Sequence, residues 1–167
     1  MPRRWDHVLD ETPDVRECPD CGAPILGGRG ACRAFFHSLN AATGGPPRSL
    51  RTMRLMTDCY ALQHLDPFCR TAKELIYHLT SLCCGLEYDG SPAIYRALQQ
   101  SVDGVFTGER PVPPGTLGAF TVLHLRGITT AEDLERRVDE WAQTIWQAWS
   151  VQQDAARGWI RQHTRSR

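Results

Sequence analysis

The segment from Met53 to Glu87 constrains this chain most, because it holds two helical runs of bundle length broken at one place, Asp66-Pro67. Proline lacks a backbone N–H and clashes with the preceding turn, so one continuous helix is excluded. The first run is predicted from about Ser49 to Leu65, with Ser49 as N-cap. At about 100° per residue, Met53, Met56, Tyr60 and His64 share a face, while Leu55 and Leu62 occupy the other flank, so burial on both sides is expected. The second run, about Thr71 to Leu86, places Leu75, Ile76, Leu79, Leu82, Cys83 and Leu86 at bundle spacing. Thr71 and Glu74 supply a capping box at its start. Each run carries one histidine, His64 within the apolar stripe and His78 at its edge.

The remaining elements extend the helical pattern. A short helix is predicted over Ala31 to Leu39, closed by Gly44-Gly45-Pro46-Pro47. Another starts at Ser91-Pro92 and runs to about Val102. Residues 119–125 are too isolated to pair as a strand and read as an extended link. Thr130 with Asp133 opens a last helix that the apolar spacing of Leu134, Val138, Trp141, Ile145, Ala148, Ala155 and Trp159 carries to about Gln162. Gln152 falls on that apolar face, where a polar side chain requires a partner. The expected architecture is all-α: a bundle of about four main helices, as a single domain over residues 18–163. A cysteine-containing loop, 18–32, folds over one end. Residues 1–17 read as a loose arm docked by Trp5.

Composition narrows the function classes. The 167 residues carry 19 basic and 19 acidic side chains, so no charge excess points to nucleic acid. The N-terminus lacks the apolar core of a signal peptide, and no run is long enough to span a membrane. A cytoplasmic protein is expected, with a protein or small molecule as partner. Lysine is represented by Lys73 alone, an arginine bias typical of a GC-rich bacterial genome.

Seven cysteines in a reducing compartment indicate metal or redox chemistry where they cluster and core packing where they do not. Cys18-Pro-Asp-Cys21-Gly sets two thiols three residues apart on a turn, a spacing that fits adjacent vertices of tetrahedral zinc. A free thiol pair on a surface loop is the plainer alternative. Cys32 follows at a distance that permits a third ligand. No second pair of Cys or His at ligand-like spacing exists, so the remaining ligands must come from afar. His64 and His78 are the candidates, with Cys18, Cys21 and His64 preferred and Cys32 or His78 completing the shell. Asp58 is a candidate acceptor behind a ligand, and Tyr60, one turn before His64, either reaches the site or fills the core. Cys59, Cys69, Cys83 and Cys84 have packing character.

Cys18-Pro-Asp-Cys21-Gly, Gly30-Ala31-Cys32, Asp58-x-Tyr60-x-x-Gln63-His64, His78-Leu79 and the tryptophan-rich final helix together resemble a family of small bacterial proteins, domain of unknown function 5946, over residues 18 to about 160. The resemblance marks Cys18, Cys21, Cys32, Asp58, Tyr60, His64 and His78 and implies no established activity. The final helix is also similar to that of DinB-like bundles, whose metal takes histidines from separate helices. Gln152 and Gln153 stand where relatives in the resembled family often carry paired His, which weakens a DinB-type site. Two main functional expectations follow. One is a structural zinc site in an interaction or small-ligand-binding domain. The other is a DinB-like metal-dependent hydrolase or thiol transferase, with Asp58 or Tyr60 moving protons. A redox sensor built on Cys18 and Cys21 is a third.

Overall fold

A computed structural model describes residues 16–41, 45–102 and 108–164. Nearly all of the predicted arm, including Trp5, lies outside them. Among the described residues the fold is all helical, with seven α-helices and no strand. They are α1 (Gly28–Ala41), α2 (Leu50–Gln63), α3 (Leu65–Phe68), α4 (Ala72–Glu87), α5 (Pro92–Val102), α6 (Ala131–Ala148) and α7 (Gln153–Thr164). The expected count of about four main helices is therefore too low.

Two of the extra divisions are marked by residues that leave the helical conformation. The first organising run stops at Gln63 rather than Leu65. His64 takes φ −126°, ψ 65° and caps α2 instead of continuing it, and a four-residue α3 carries Pro67. The long final helix divides at Trp149, which leaves the helical region (φ −89°, ψ 23°) before a 3-10 turn at Ser150–Gln152. No Gly or Pro marks that break. The Gln153 carboxamide donates to the Trp146 carbonyl at 2.9 Å, satisfying an acceptor at the end of α6. Residues 122–125, expected as an extended link, form another 3-10 turn.

The caps follow the sequence. Thr52 N–H donates to Ser49 Oγ at 3.0 Å. Thr71 and Glu74 close a reciprocal capping box. Asp133 N–H donates to Thr130 Oγ1 at 3.2 Å.

Helix α4 is central, packed against α2, α5, α6 and α7, and α2 also packs on α6. On α2, Leu55, Met56 and the whole run Asp58–Gln63 are buried, whereas Met53 is left exposed. Close approach of α2 to α4 depends on Gly85. A Cβ there would sit 2.5 Å from Leu55 Cδ2, 3.0 Å from its Cγ and 3.1 Å from the Tyr95 hydroxyl. Leu55 is fully buried and has nowhere to retreat. Gly85→Ala is expected to cost about 1–2 kcal/mol, overpacking outweighing the gain in helix propensity. Urea unfolding of the variant checks this. At the same C-terminal end of α4, Glu87 receives Arg157 of α7 through two hydrogen bonds (2.7 and 2.6 Å) and the Trp146 indole N–H of α6 at 3.0 Å. One carboxylate thus ties three helices together.

No helix among the described residues is long and apolar enough to cross a membrane.

Candidate metal centre

The N-terminal turn is built around Cys18. Its N–H donates to the Ala23 carbonyl at 2.8 Å, and Gly22 N–H returns to the Cys18 carbonyl at 2.8 Å. Gly22 lies at φ 70°. A Cβ would be strained in that left-handed region, so the position favours glycine. The backbone N–H groups of Asp20 and Cys21 face the Cys18 sulfur, and that of Ala23 faces the Cys21 sulfur. Asp20 accepts two hydrogen bonds from Arg29 at 2.6 Å each, fixing the turn to the first residues of α1.

From α1, Cys32 turns inward and is completely buried. From the end of α2, His64 completes the group. Cys18 Sγ and Cys32 Sγ each lie 3.5 Å from His64 Nε2, and Cys21 Sγ lies 3.8 Å from Cys32 Sγ. One donor atom from each of the four residues falls within 4.8 Å of the others, and all four are buried. This cluster could hold a metal ion.

Leaving the helical conformation at His64 is what allows this geometry. His64 Nδ1–H donates to the Tyr60 carbonyl at 2.8 Å. That bond fixes the tautomer and leaves the Nε2 lone pair facing the sulfurs. The imidazole stacks on the Tyr60 ring (3.9 Å between centroids), which stacks in turn on Phe36 (3.9 Å). The Tyr60 hydroxyl points to Cys32 Sγ at 3.9 Å. Tyr60 therefore both reaches the cluster and fills the core.

The electrostatics show three thiols that do not ionise together. Hydrogen bonding from Cys21 chiefly lowers the Cys32 thiol to about 4 against the opposing effect of burial, with His64 and Tyr60 assisting. Cys21 is correspondingly raised by that same bond to Cys32, and Cys18 is raised by burial. A cation at the centre would reverse this, since a bound metal favours thiolate at every ligating cysteine.

The other candidate residues lie elsewhere. His78 is not one of the four. Its Nδ1–H donates to Asp58 Oδ1 at 2.9 Å across the α2–α4 interface. Asp58 is thus committed to His78 rather than to a residue of the cluster. Gln152 sits half-exposed in the 3-10 turn after α6, because the break at Trp149 carries it off the apolar face where an unbroken helix would have put it. Cys59, Cys69, Cys83 and Cys84 are buried and form no disulfide, and the Cys69 thiol donates to the Ala61 carbonyl at 3.6 Å.

Burial raises the Asp58 carboxyl above the usual aspartate range, opposed chiefly by its hydrogen bond to His78. A carboxyl raised on folding binds its proton more tightly in the native state. Its stabilising contribution is complete below the unfolded value and is lost as pH rises through the native one. Asp58→Asn is therefore expected to remove a loss of stability that the wild type shows as pH climbs from the usual aspartate range. Unfolding midpoints in urea at a series of pH values would test this, and parallel curves for the two proteins would refute it.

Spacing did not single out Gln63, the neighbour of His64. It is buried and donates from Nε2 to the Leu117 (2.9 Å) and Phe120 (2.8 Å) carbonyls. Its Oε1 accepts the Trp141 indole N–H at 3.1 Å. It holds the 117–120 loop against the helix that ends in the cluster. The available signal was a carboxamide closing a helical run expected to be buried on both flanks.

Comparison with curated proteins and with solved structures returned no match. A family model does match, over residues 16–150, which takes in the cysteine turn, α1 to α6 and all four residues of the cluster. The chain belongs to the family of unknown function DUF5946.

Proposed function

We propose that Cys18, Cys21, Cys32 and His64 bind one structural zinc ion, in a domain that serves as an interaction or small-ligand-binding module. The observation that carries this reading is the set of donor separations. Tetrahedral zinc with Zn–S of about 2.3 Å and Zn–N of about 2.0–2.1 Å requires S···S edges of about 3.8 Å and S···N edges of about 3.5 Å. The cluster has 3.8, 3.5 and 3.5 Å. Three thiolates and an imidazole are a donor set suited to zinc. The peptide N–H groups facing Cys18 and Cys21 stabilise thiolate charge. The ion would fasten the cysteine turn and α1 to the end of α2.

Four protein donors leave no vertex for a water, which favours a structural centre over a hydrolytic one. Of the two proton carriers in the enzymatic alternative, Asp58 is engaged with His78 and Tyr60 alone reaches the cluster. The seven free cysteines support a reducing, cytoplasmic setting.

Elemental analysis of the purified chain is expected to find close to one zinc per molecule. Zinc-edge X-ray absorption is expected to fit three sulfurs and one nitrogen. A substoichiometric metal content, or a first shell that includes oxygen, overturns the reading.

A further inference from the structure

The four residues of the cluster are unevenly shared between two parts of the chain. Cys18 and Cys21 sit on the N-terminal turn and Cys32 on α1, and only His64 comes from the helices that follow. Helix α1 is thinly held otherwise. Of its 14 residues only Gly28, Cys32 and Phe36 are buried, whereas α2, of equal length, buries the whole run Asp58–Gln63 besides Leu55 and Met56. Its main packing partner is the 3-10 turn at Val122–Leu125. Phe36 stacks on Tyr60, the Arg126 guanidinium lies 5.2 Å from the centre of the Phe35 ring, and Arg48 donates to the Leu39 carbonyl. A helix of this length, with Gly28 and Gly30 in its first turn, is not stable in water by itself.

The thiols that hold this segment to His64 are also close to one another. Cys21 Sγ lies 3.8 Å from Cys32 Sγ. Cys21 is 9 % exposed, against 1 % or less for the other three residues, so a small oxidant meets Cys21 first. Gly27 and Gly28, both at positive φ, lie between the two cysteines and allow the last approach to an S–S bond of about 2.05 Å. Cys18 is the poorer partner, because the peptide N–H groups of Asp20 and Cys21 face its sulfur and favour its remaining a thiolate.

We propose that the centre is an oxidation-sensitive latch, in which hydrogen peroxide joins Cys21 to Cys32, the metal is lost, and the cysteine turn and α1 come free while α2 to α7 stay folded. This rests on the zinc reading above. The Cys21 thiolate attacks the peroxide O–O bond and becomes a sulfenic acid, and the first oxygen leaves as water after taking a proton. The Cys32 thiolate then attacks that sulfur, the S–S bond forms, and the second oxygen leaves as water with a further proton. Two thiolates are oxidised by two electrons in all, and one peroxide is reduced to two waters. Cys18 and His64 alone are then left as donors, too few to hold the ion. Both oxidised sulfurs lie on the released segment, so the disulfide does not replace the tie to His64. Transient disulfides of this kind suit a reducing compartment.

The test treats the full, zinc-loaded chain with hydrogen peroxide and follows zinc with a chromophoric chelator. One zinc is expected per disulfide formed. Trypsin cuts after Arg16, Arg29 and Arg33, so a Cys21–Cys32 bond links peptide 17–29 to peptide 30–33, whereas a Cys18–Cys21 bond stays within one peptide. Hydrogen exchange over residues 17–41 should rise about 100-fold or more, with α2, α4 and α6 still protected. Chelation of the reduced chain should free the same segment without any disulfide, and dithiol plus zinc should restore protection. A chain that holds one zinc and keeps it under peroxide, a bond at Cys18–Cys21, or exchange rising in all helices together overturns the latch and leaves the zinc reading standing. A chain purified without zinc overturns both.

Discussion

Cys32→Ser is expected to lower metal affinity by more than about 100-fold, while His78→Gln leaves metal content unchanged. Losing a residue behind the ligands typically costs about 10–100-fold, and losing a ligand that closes the shell costs more. Cys32 Sγ lies within bonding reach of the same point as His64 Nε2 and Cys21 Sγ, whereas the His78 imidazole is held by Asp58. Competition with a chromophoric chelator measures both variants. Metal lost from His78→Gln, or retained in Cys32→Ser, would reverse the assignment of the fourth ligand. Metal binding is linked to folding, so the Cys32 variant should also melt earlier than wild type in zinc-containing buffer and match it more closely after chelation.

Gln63→Leu is expected to be among the most destabilising single substitutions outside the cluster, at about 3 kcal/mol. Leucine keeps the volume but abandons three hydrogen bonds at once. The Trp141 indole N–H loses its acceptor in a fully buried setting, and the Leu117 and Phe120 carbonyls lose their donor. A buried donor or acceptor left without a partner costs about 1–3 kcal/mol. The two carbonyls fall at the low end because their residues are only part-buried. Denaturant unfolding gives the number. A cycle with Trp141→Phe, which removes the orphaned N–H, should recover about 1 kcal/mol. An additive cycle would mean that the Gln63–Trp141 bond contributes little.

How far the chain could be read from its residues differs from element to element. The caps at Ser49, Thr71 and Thr130 were legible because a cap is made between residues two or three apart. The helical class was legible for the same reason, since apolar spacing reports a local period. The break at Trp149 was not. The apolar spacing runs through it, no Gly or Pro announces it, and a 3-10 turn shifts the phase without spoiling it. That hidden break is why Gln152, which spacing places on the apolar helix face, stands half-exposed in a turn.

The cysteine turn by itself determined that two thiols would face one point, because Cys18 and Cys21 lie on a turn that Gly22 permits. It also determined that any further ligand had to be distant. Which distant residues answer was decided by tertiary structure alone. Periodicity put His64 in a helical stripe, but its position in space comes from leaving the helix, and its tautomer comes from the Tyr60 carbonyl. His78 and Cys32 were equal candidates by spacing. Packing separated them by placing the buried Asp58 of α2 against His78 and turning α1 so that Cys32 meets Cys21. Local sequence encodes conformation over a few residues, whereas a four-residue donor set gathered from across 46 positions is set by how the helices pack.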